Sequence, residues 1–405
     1  MIASTLRLYK NAYDGLTRRI WLLSAVMLIN RSGTMVLPFM TLYCTHLGFS
    51  VKQAGLVVAV YGLGSMFGAL LGGRLSDKFG FYYTQVGALF FGGLLFLLLG
   101  QMQSLQSICF CTFFLSMVNE SFRPANATAV THYSTPQNRT QSFSLIRLAM
   151  NIGWGVGSAL GGLLASIDYH LLFWVDGFTN IVAAIILWMV LPKVSLSQQK
   201  QVYKTEEVTV ITSPYRDKIF MQFCLFTFLF AFCFFQLFTT VPLYFKTHLY
   251  LDEFLIGIVM AVNGILIALF EMVIVFKLEG SRPYLRLIFY GTLIMGFSFL
   301  FLDFPFAAGL VLASLFIFFI TIAEIVAMPF MNSFYISLTR DHNRGQYAGM
   351  YVLSWSAAQV AGSSAGAFIA YRYGFNNLWV FIFSLTLVAA AGYFWLQKKI
   401  PDRPG

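Results

Sequence analysis

The chain has 405 residues, of which 58% are hydrophobic and only 10% are charged. Soluble domains carry roughly 25% charged residues, so this composition excludes an ordinary soluble protein. A bilayer-spanning helix needs ~20 mostly apolar residues, and a chain of this length has room for about twelve such helices with their loops. The formal net charge of +10 could suggest nucleic-acid binding, so the positions of the basic residues have to be considered.

Most of the 26 Lys and Arg residues lie in the N-terminus, in the even-numbered loops between apolar segments, and in the C-terminus. The opposite loops hold Lys52, Lys246 and Arg372. This is the positive-inside distribution of membrane proteins, in which basic loops remain in the cytoplasm. We therefore expect both termini in the cytoplasm and no nucleic-acid partner.

Twelve apolar segments are expected to span the membrane as helices, which gives an all-α membrane protein. In chain order they cover residues 20–46, 53–74, 83–101, 106–130, 142–166, 171–192, 217–245, 253–276, 286–303, 307–338, 347–371 and 377–396. Four prolines inside these segments predict kinks: Pro38, Pro124, Pro242 and Pro329.

A polar connection over residues 193–216 separates an N-terminal six-helix bundle, residues 1–192, from a C-terminal six-helix bundle, residues 217–405. Because six spans precede it, this connection is expected to be a cytoplasmic linker.

The two halves repeat in sequence. Asn138-Arg139 recurs as Asn343-Arg344, and Gly157-Ser158 recurs as Gly362-Ser363, at one common shift along the chain. Six spans per half make the repeats parallel, so that they are related by an axis along the membrane normal. Two such bundles can rock about a central cavity, which is the mechanics of alternating-access transport.

The connection between spans 2 and 3 reads Gly-Arg-Leu-Ser-Asp-Lys-Phe-Gly over residues 73–80. It resembles the loop motif of the major facilitator superfamily, Gly-x-Leu-x-Asp-Arg/Lys-x-Gly, without the basic pair that usually follows. The resemblance implies two pseudo-symmetric six-helix bundles and a gate formed by Gly73, Asp77, Lys78 and Gly80. The alternative is a surface turn, because a glycine permits a tight turn and an aspartate can cap a helix end.

Span 5 carries a stripe of glycines at four-residue spacing, Gly153, Gly157 and Gly161, which permits close helix packing. The run Gly-Ser-Ala-Leu-Gly-Gly over residues 157–162 resembles the antiporter signature of drug–proton exchangers, Gly-Pro-x-x-Gly-Gly, with Ser158 in place of its proline. The resemblance implies that efflux is coupled to proton entry. A generic packing stripe explains the same residues equally well.

Charged and amide side chains inside the apolar segments are the candidate residues for proton coupling and for a substrate cavity, because each buried charge costs ~2.5–3.5 kcal/mol. They are Arg31, Glu120, Arg123, Asn151, Glu271 and Glu324. The alternative is that these residues form structural ion pairs that fix helix register.

The spacing of these residues along the chain predicts different roles for them. Glu120 and Arg123 are three residues apart, which places them on one helix face and predicts an ion pair. Glu271 and Glu324 have no basic residue within one helical turn, so they are the better candidates for carrying protons. Asp176, early in span 6, either belongs to this polar set or reaches the outer interface of the membrane.

The sequence contains no ordered His/Cys/Asp catalytic cluster, no P-loop and no metal-ligand spacing. An enzyme and a bound cofactor are therefore not expected.

We expect a monomeric proton-coupled secondary transporter in a bacterial inner membrane, with small molecules, protons and the lipid bilayer as partners. Efflux of drug-like or amphipathic compounds by alternating access is the first hypothesis. The alternative is proton-coupled import of a polar or anionic nutrient such as a peptide or metabolite.

Overall fold

The computed structural model describes residues 10–192, 213–302, 309–340 and 343–400. All regular structure in these ranges is helical. The α-helices in chain order are α1 Arg18–Ser32, α2 Val36–His46, α3 Val51–Phe79, α4 Phe81–Leu99, α5 Leu105–Glu120, α6 Phe122–Tyr133, α7 Arg139–Ile167, α8 His170–Val190, α9 Lys218–Phe234, α10 Thr240–Thr247, α11 Glu253–Leu278, α12 Tyr284–Phe301, α13 Gly309–Ser337, α14 Arg344–Tyr373 and α15 Phe375–Lys399. Short 3-10 helices at Pro136–Asn138 and Phe235–Phe238 complete the set.

Nine helical stretches within the described ranges are long and apolar enough to cross a membrane. Helices also occupy the other three predicted segments, with α1 and α2 over residues 20–46, α5 and α6 over 106–130, and α14 over 347–371. The all-α membrane architecture is therefore confirmed, whereas the count of twelve spans remains a prediction.

Three of the predicted spans are broken into two helices, at the α1–α2, α5–α6 and α9–α10 junctions. Pro38, Pro124 and Pro242 each lie in the first turn of the helix that follows the break. A proline is tolerated there because the first N–H groups of a helix have no intrahelical acceptor. Pro329 lies inside α13 and does not end it.

The helices form two compact units. The N-terminal unit comprises Leu16–Pro214 and Thr339–Ser356, so it contains α1 to α8 and the first part of α14. The C-terminal unit contains α9 to α13, the rest of α14, and α15. Most of the predicted linker lies outside the described residues, and the predicted domain boundaries at residues 192 and 217 remain predictions.

Glycines bring neighbouring helices into close contact in both units. In the N-terminal unit, a Cβ atom at Gly153 of α7 would lie 2.6 Å from the Cβ of Arg31, and one at Gly157 would lie 3.1 Å from the backbone oxygen of Arg31. In the C-terminal unit, a Cβ atom at Gly362 of α14 would lie 2.8 Å from the backbone oxygen of Phe232 in α9. The repeated glycines therefore serve equivalent helix contacts, as small residues do in membrane proteins.

The third glycine of the stripe, Gly161, lies against the start of α2, the second helix of the broken span 1. A Cβ atom at Gly161 would lie 3.0 Å from the ring of Phe39 and 3.2 Å from the Cβ of Met35. The stripe therefore runs along α1 and then along the start of α2, which holds both parts of the broken span against α7.

The repeated Asn-Arg pair forms the same turn twice. The backbone N–H of Thr135 donates to Asn138 Oδ1 at 2.8 Å, just before α7. The backbone N–H of Arg340 donates to Asn343 Oδ1 at 3.0 Å, just before α14. The two asparagines occupy corresponding positions in the repeat, so the sequence similarity reflects a shared helix-start structure.

A Gly153→Ala variant is expected to lower the midpoint of thermal unfolding, because the added methyl group overlaps α1 and overpacking costs about 1–3 kcal/mol. Gly155→Ala is the matched control, since a Cβ atom there has nothing within 4 Å. The midpoints can be compared by tryptophan fluorescence of the detergent-solubilised proteins. Equal midpoints for the two variants would contradict the packing role.

Candidate functional site

A cavity lies inside the N-terminal unit, beside the break between α1 and α2. Its lining comes from α1, the break itself, α4, α5, α6 and α8, and consists of Asn30, Arg31, Thr34, Phe96, Asn119, Glu120, Phe122 and Asn180. All of these are polar or charged except Phe96 and Phe122. The arrangement offers a cation, a carboxylate and several amide groups beside an aromatic wall.

Asp176 of α8 fixes the break that borders this cavity. Its side chain is completely buried, and it accepts hydrogen bonds from the backbone N–H of Met35 at 3.0 Å and of Val36 at 2.8 Å. These donors lie at the start of α2, where no intrahelical acceptor exists and where the helix dipole favours a negative charge. The expectation that Asp176 reaches the outer interface is wrong, because the broken helix provides its partners inside the protein.

A pair of asparagines continues this network toward the cavity. Asn30 Nδ2 donates to Asn180 Oδ1 at 2.9 Å, and Asn180 Nδ2 donates to the backbone oxygen of Asp176 at 2.7 Å. Sequence reasoning did not select Asn180 or Thr34 as site residues. The available signal was the four-residue spacing of Asp176 and Asn180, which places two polar side chains on one face of an apolar helix.

The predicted ion pair between Glu120 and Arg123 is present, with 3.1 Å between Glu120 Oε2 and Arg123 Nη1. It bridges the junction of α5 and α6. Arg31 lies within electrostatic range of both residues, and its buried Nε atom has no hydrogen-bond partner among the described residues. One carboxylate therefore lies near two guanidinium groups.

The predicted carboxylates of the C-terminal unit lie among apolar helices. Glu324 of α13 is 3% exposed, and its Oε1 accepts a hydrogen bond from Asn263 Nδ2 at 2.8 Å. The same amide group donates to Thr321 Oγ1 at 2.9 Å. Glu271, two turns beyond Asn263 on α11, is 2% exposed. Both carboxyl groups are thus enclosed, and one belongs to a small polar network.

The six predicted residues do not form one cluster. Arg31 and Glu120 line the cavity of the N-terminal unit, and Arg123 joins it through its ion pair. Asn151 is not part of the cavity lining, and its Nδ2 atom is buried without a hydrogen-bond partner among the described residues. Glu271 and Glu324 belong to the C-terminal unit. Their roles in coupling and binding remain predictions.

The loop motif joins α3 to the start of α14 within the N-terminal unit. Asp77 Oδ1 accepts a hydrogen bond from the backbone N–H of Gly345 at 2.7 Å, and Oδ2 accepts one from Gln346 at 2.8 Å. Asp77 therefore caps a helix that lies far away in the chain. A cap of this kind satisfies N–H groups that the helix leaves free.

The other motif residues allow this contact. A Cβ atom at Gly73 would lie 2.5 Å from the backbone oxygen of Gly345, so α3 approaches α14 closely. Gly80 joins α3 to α4 with a φ of +90°, a conformation that glycine favours. The Nζ atom of Lys78 lies 5.2 Å from the centre of the Phe79 ring. A simple surface turn explains Gly80 but leaves the helix cap at Asp77 unexplained.

An Asp176→Ala variant is expected to lower the midpoint of thermal unfolding, because the N–H groups of Met35 and Val36 lose a buried acceptor, which costs about 1–3 kcal/mol. Asp168→Ala is the control, since Asp168 also accepts a backbone hydrogen bond, from His170, but its side chain is 54% exposed and water can replace it. Fluorescence-detected unfolding in detergent measures both. An equally small effect of both variants would contradict the role of the Asp176 cap.

Comparison with known proteins identifies one family model that matches most of this chain. The family model of the Major Facilitator Superfamily matches residues 20–363. A Na(+), Li(+), K(+)/H(+) antiporter of Planococcus maritimus is 23% identical over 399 residues, which cover 91% of this chain and 93% of the relative. The multidrug resistance protein MdtH of Aeromonas hydrophila is 26% identical over 164 residues, which cover 40% of this chain and 41% of the relative.

Solved structures share the fold. The human organic anion transporter MFSD10 (TETRAN) superposes with a TM-score of 0.74 at 14% identity, covering 93% of this chain and 99% of that one. The family match extends over most of the chain and includes the loop motif around Asp77. Since this family consists of transporters and not enzymes, the chain is an integral membrane transport protein and belongs to the Major Facilitator Superfamily.

Proposed function

We propose that this protein is a proton-coupled secondary transporter that exports drug-like or amphipathic compounds by alternating access. The observation that carries the proposal is the pair of enclosed carboxyl groups in the C-terminal unit, Glu271 and Glu324, which are 2% and 3% exposed. Charged side chains inside membrane helices are expensive and mark ion or proton pathways.

The surroundings of Glu324 suit a proton carrier. Glu324 is 3% exposed, so water reaches its carboxyl group only if the surrounding helices move. Asn263 donates one hydrogen bond to Glu324, so the group remains oriented in either protonation state. A movement that changes the access of water to Glu324 would then take up or release a proton.

The direction of transport is inferred from three resemblances. The relative from Planococcus maritimus is named as a cation/proton antiporter, and that from Aeromonas hydrophila as a multidrug resistance protein. The glycine run of α7 also resembles the signature of drug–proton exchangers. Together these support exchange of an exported compound for an entering proton.

We place the protein in a bacterial inner membrane as a monomer, with both termini in the cytoplasm. The support for this orientation is the positive-inside distribution of Lys and Arg. The proposal includes two six-helix bundles, residues 1–192 and 217–405, joined by a cytoplasmic linker. A cavity opened alternately to each side of the membrane by two such bundles is the expected transport mechanism.

The function is tested with inverted membrane vesicles that carry a proton gradient. Addition of a transported compound should release protons from the vesicle interior, as measured by recovery of acridine orange fluorescence. A panel should include amphipathic cations, zwitterions and anions, with Na+, Li+ and K+ tested separately because of the named Planococcus relative. Movement of the compound in the same direction as the protons would favour the importer. Proton release on addition of Na+, Li+ or K+ alone would favour cation exchange.

A Glu324→Gln variant is expected to lose proton release on substrate addition, because a neutral amide cannot carry a proton through the cycle. Substrate exchange driven by a substrate gradient alone should persist. Asp252→Asn is the control, since Asp252 caps α11 at an exposed position in the same unit. Unaltered proton coupling in Glu324→Gln would remove Glu324 from the proposed role.

We also propose that the loop motif acts as a gate through the cap that Asp77 places on α14. An Asp77→Ala variant is expected to lower the transport rate at least about five-fold, while substrate affinity changes little, because one state of the cycle loses charge-assisted hydrogen bonds of about 1.5–3 kcal/mol. Asp217→Ala is the control, because Asp217 caps α9 outside the motif. A change in affinity with an unchanged rate would argue against a gate.

A further inference from the structure

We propose that the C-terminal unit binds the headgroup of an anionic phospholipid where α12 begins and α15 ends. The residues of this α12–α15 patch are the basic Arg282, Arg286, Lys398 and Lys399 and the aromatic Tyr290, Phe394 and Trp395. The inference goes beyond the proposed transport function, because it concerns a lipid partner and can be tested without any measurement of transport.

Direct contacts between the two helices assemble the patch. The ring centres of Phe289 in α12 and Phe394 in α15 are 5.5 Å apart. About one turn nearer to the start of α12, Arg286 contacts Gln397. With its amide oxygen turned toward the guanidinium group, Gln397 accepts hydrogen bonds from Arg286 Nη2 at 2.8 Å and from Nε at 3.2 Å. The start of α12 and the end of α15 therefore form one continuous surface.

The two lysines of the patch lie against aromatic rings. Lys399 Nζ is 3.6 Å from the centre of the Trp395 ring, and Lys398 Nζ is 4.7 Å from the centre of the Phe394 ring. Cation–π attraction holds each ammonium group beside its ring. Because aromatic rings at the ends of membrane helices lie at the level of the lipid headgroups, the charges are held at that level too.

The arginines of the patch have a different electrostatic setting from the lysines. Lys398 and Lys399 lie in the last turn of α15, where the helix dipole favours cations. Arg286 lies in the first turn of α12, where the dipole favours anions instead. Arg282 precedes the same helix, and its guanidinium carbon is 6.0 Å from the centre of the Tyr290 ring. An anion bound here would interact favourably with both arginines and with the helix start.

Basic residues outnumber acidic ones around the patch. The start of α9 lies at the same end of the unit as the end of α15, since the Tyr393 hydroxyl donates to Thr227 Oγ1 at 3.3 Å. The described charged residues at these ends of α9, α11, α12 and α15 are the basic Arg216, Lys218, Lys277, Arg282, Arg286, Lys398 and Lys399 and the acidic Asp217 and Glu279. The resulting excess of positive charge attracts anionic lipid headgroups.

The corresponding helices of the N-terminal unit lack these basic residues. Helices α4 and α8 are the third and sixth spans, as α12 and α15 are the ninth and twelfth. They pack in the same sense, since the Tyr82 hydroxyl donates to the backbone oxygen of Trp188 at 2.9 Å. Neither of these two helices contains Lys or Arg. The helix packing therefore does not require basic residues at this junction, and lipid binding gives them a role.

The exposed rings favour a lipid over a soluble phosphate compound. Tyr290, Phe394 and Trp395 are 41–43% exposed, although they adjoin the charged groups. A soluble phosphate would satisfy the cations and leave these rings uncovered. A phospholipid supplies a phosphate for the cations and acyl chains for the apolar surface below them, as in basic lipid sites between membrane helices.

The test is native mass spectrometry of the full chain released from detergent micelles that contain dioleoylphosphatidylglycerol or dioleoylphosphatidylcholine. The unmodified protein should bind the anionic lipid with a Kd at least about five-fold below that of the zwitterionic lipid. Lys398→Gln combined with Lys399→Gln should reduce this difference to within roughly two-fold, and Arg282→Gln should also reduce it. These side chains are exposed, so the variants are expected to fold.

Arg18→Gln combined with Arg19→Gln is the matched control, because it removes two exposed basic residues from the start of α1 in the other unit. Arg19 also lies over an aromatic ring, that of Tyr133, but this residue is only 4% exposed. The control should retain the preference of the unmodified protein.

Three results would overturn the proposal. They are equal affinities of the unmodified protein for the two lipids, an unchanged preference in either patch variant, and an equal loss of preference in the control. Displacement of the anionic lipid by an equal concentration of glycerol phosphate would indicate a site for soluble phosphate compounds, which also contradicts a lipid site.

Discussion

The structure depends on satisfying the backbone where membrane-spanning helices break. Lipid offers no hydrogen bonds, so the free N–H and C=O groups at a break need partners within the protein. At the break between α1 and α2 the partner is the Asp176 carboxylate. At the 3-10 turn after α9 it is Gln236, whose Nε2 donates to the backbone oxygen of Phe232, in the last turn of α9, at 3.1 Å. These breaks place side chains such as Arg31 beside a polar cavity within otherwise apolar helices.

The two units share a scaffold and differ in charge. Gly157 and Gly362 serve equivalent helix contacts, and Asn138 and Asn343 form equivalent turns. The intramembrane arginines described above belong to the N-terminal unit, whereas the C-terminal unit encloses the carboxylates Glu271 and Glu324. The two repeats thus share the small and turn-forming residues that packing requires, while their ionisable residues differ. This pattern is consistent with the proposal that the carboxylates of the C-terminal unit carry protons.

Local features of the structure could be predicted from the sequence. Hydropathy located the helical segments, and the three-residue spacing of Glu120 and Arg123 gave their ion pair. Features that depend on distant parts of the chain could not. The sequence offers no indication that Asp77 caps α14 or that Asp176 caps α2, because a capping carboxylate has no fixed separation from its helix. Similarly, prolines indicated irregular spans, but the carboxylate that caps the break between α1 and α2 comes from α8. Of the residues that line the cavity, Arg31 and Glu120 were predicted from the sequence, whereas Thr34 and Asn180 were not, because the lining is assembled from several helices.

The cap at the start of α2 has a consequence for membrane insertion. Asp176 lies 141 residues after Met35, so it is synthesised long after the span that it completes. Neither α1, with 15 residues, nor α2, with 11, is long enough to cross a bilayer alone. The N–H groups at the start of α2 therefore lack their acceptor until α8 has been made. The first span of the chain reaches its final form only after the last helix of the N-terminal half has entered the membrane.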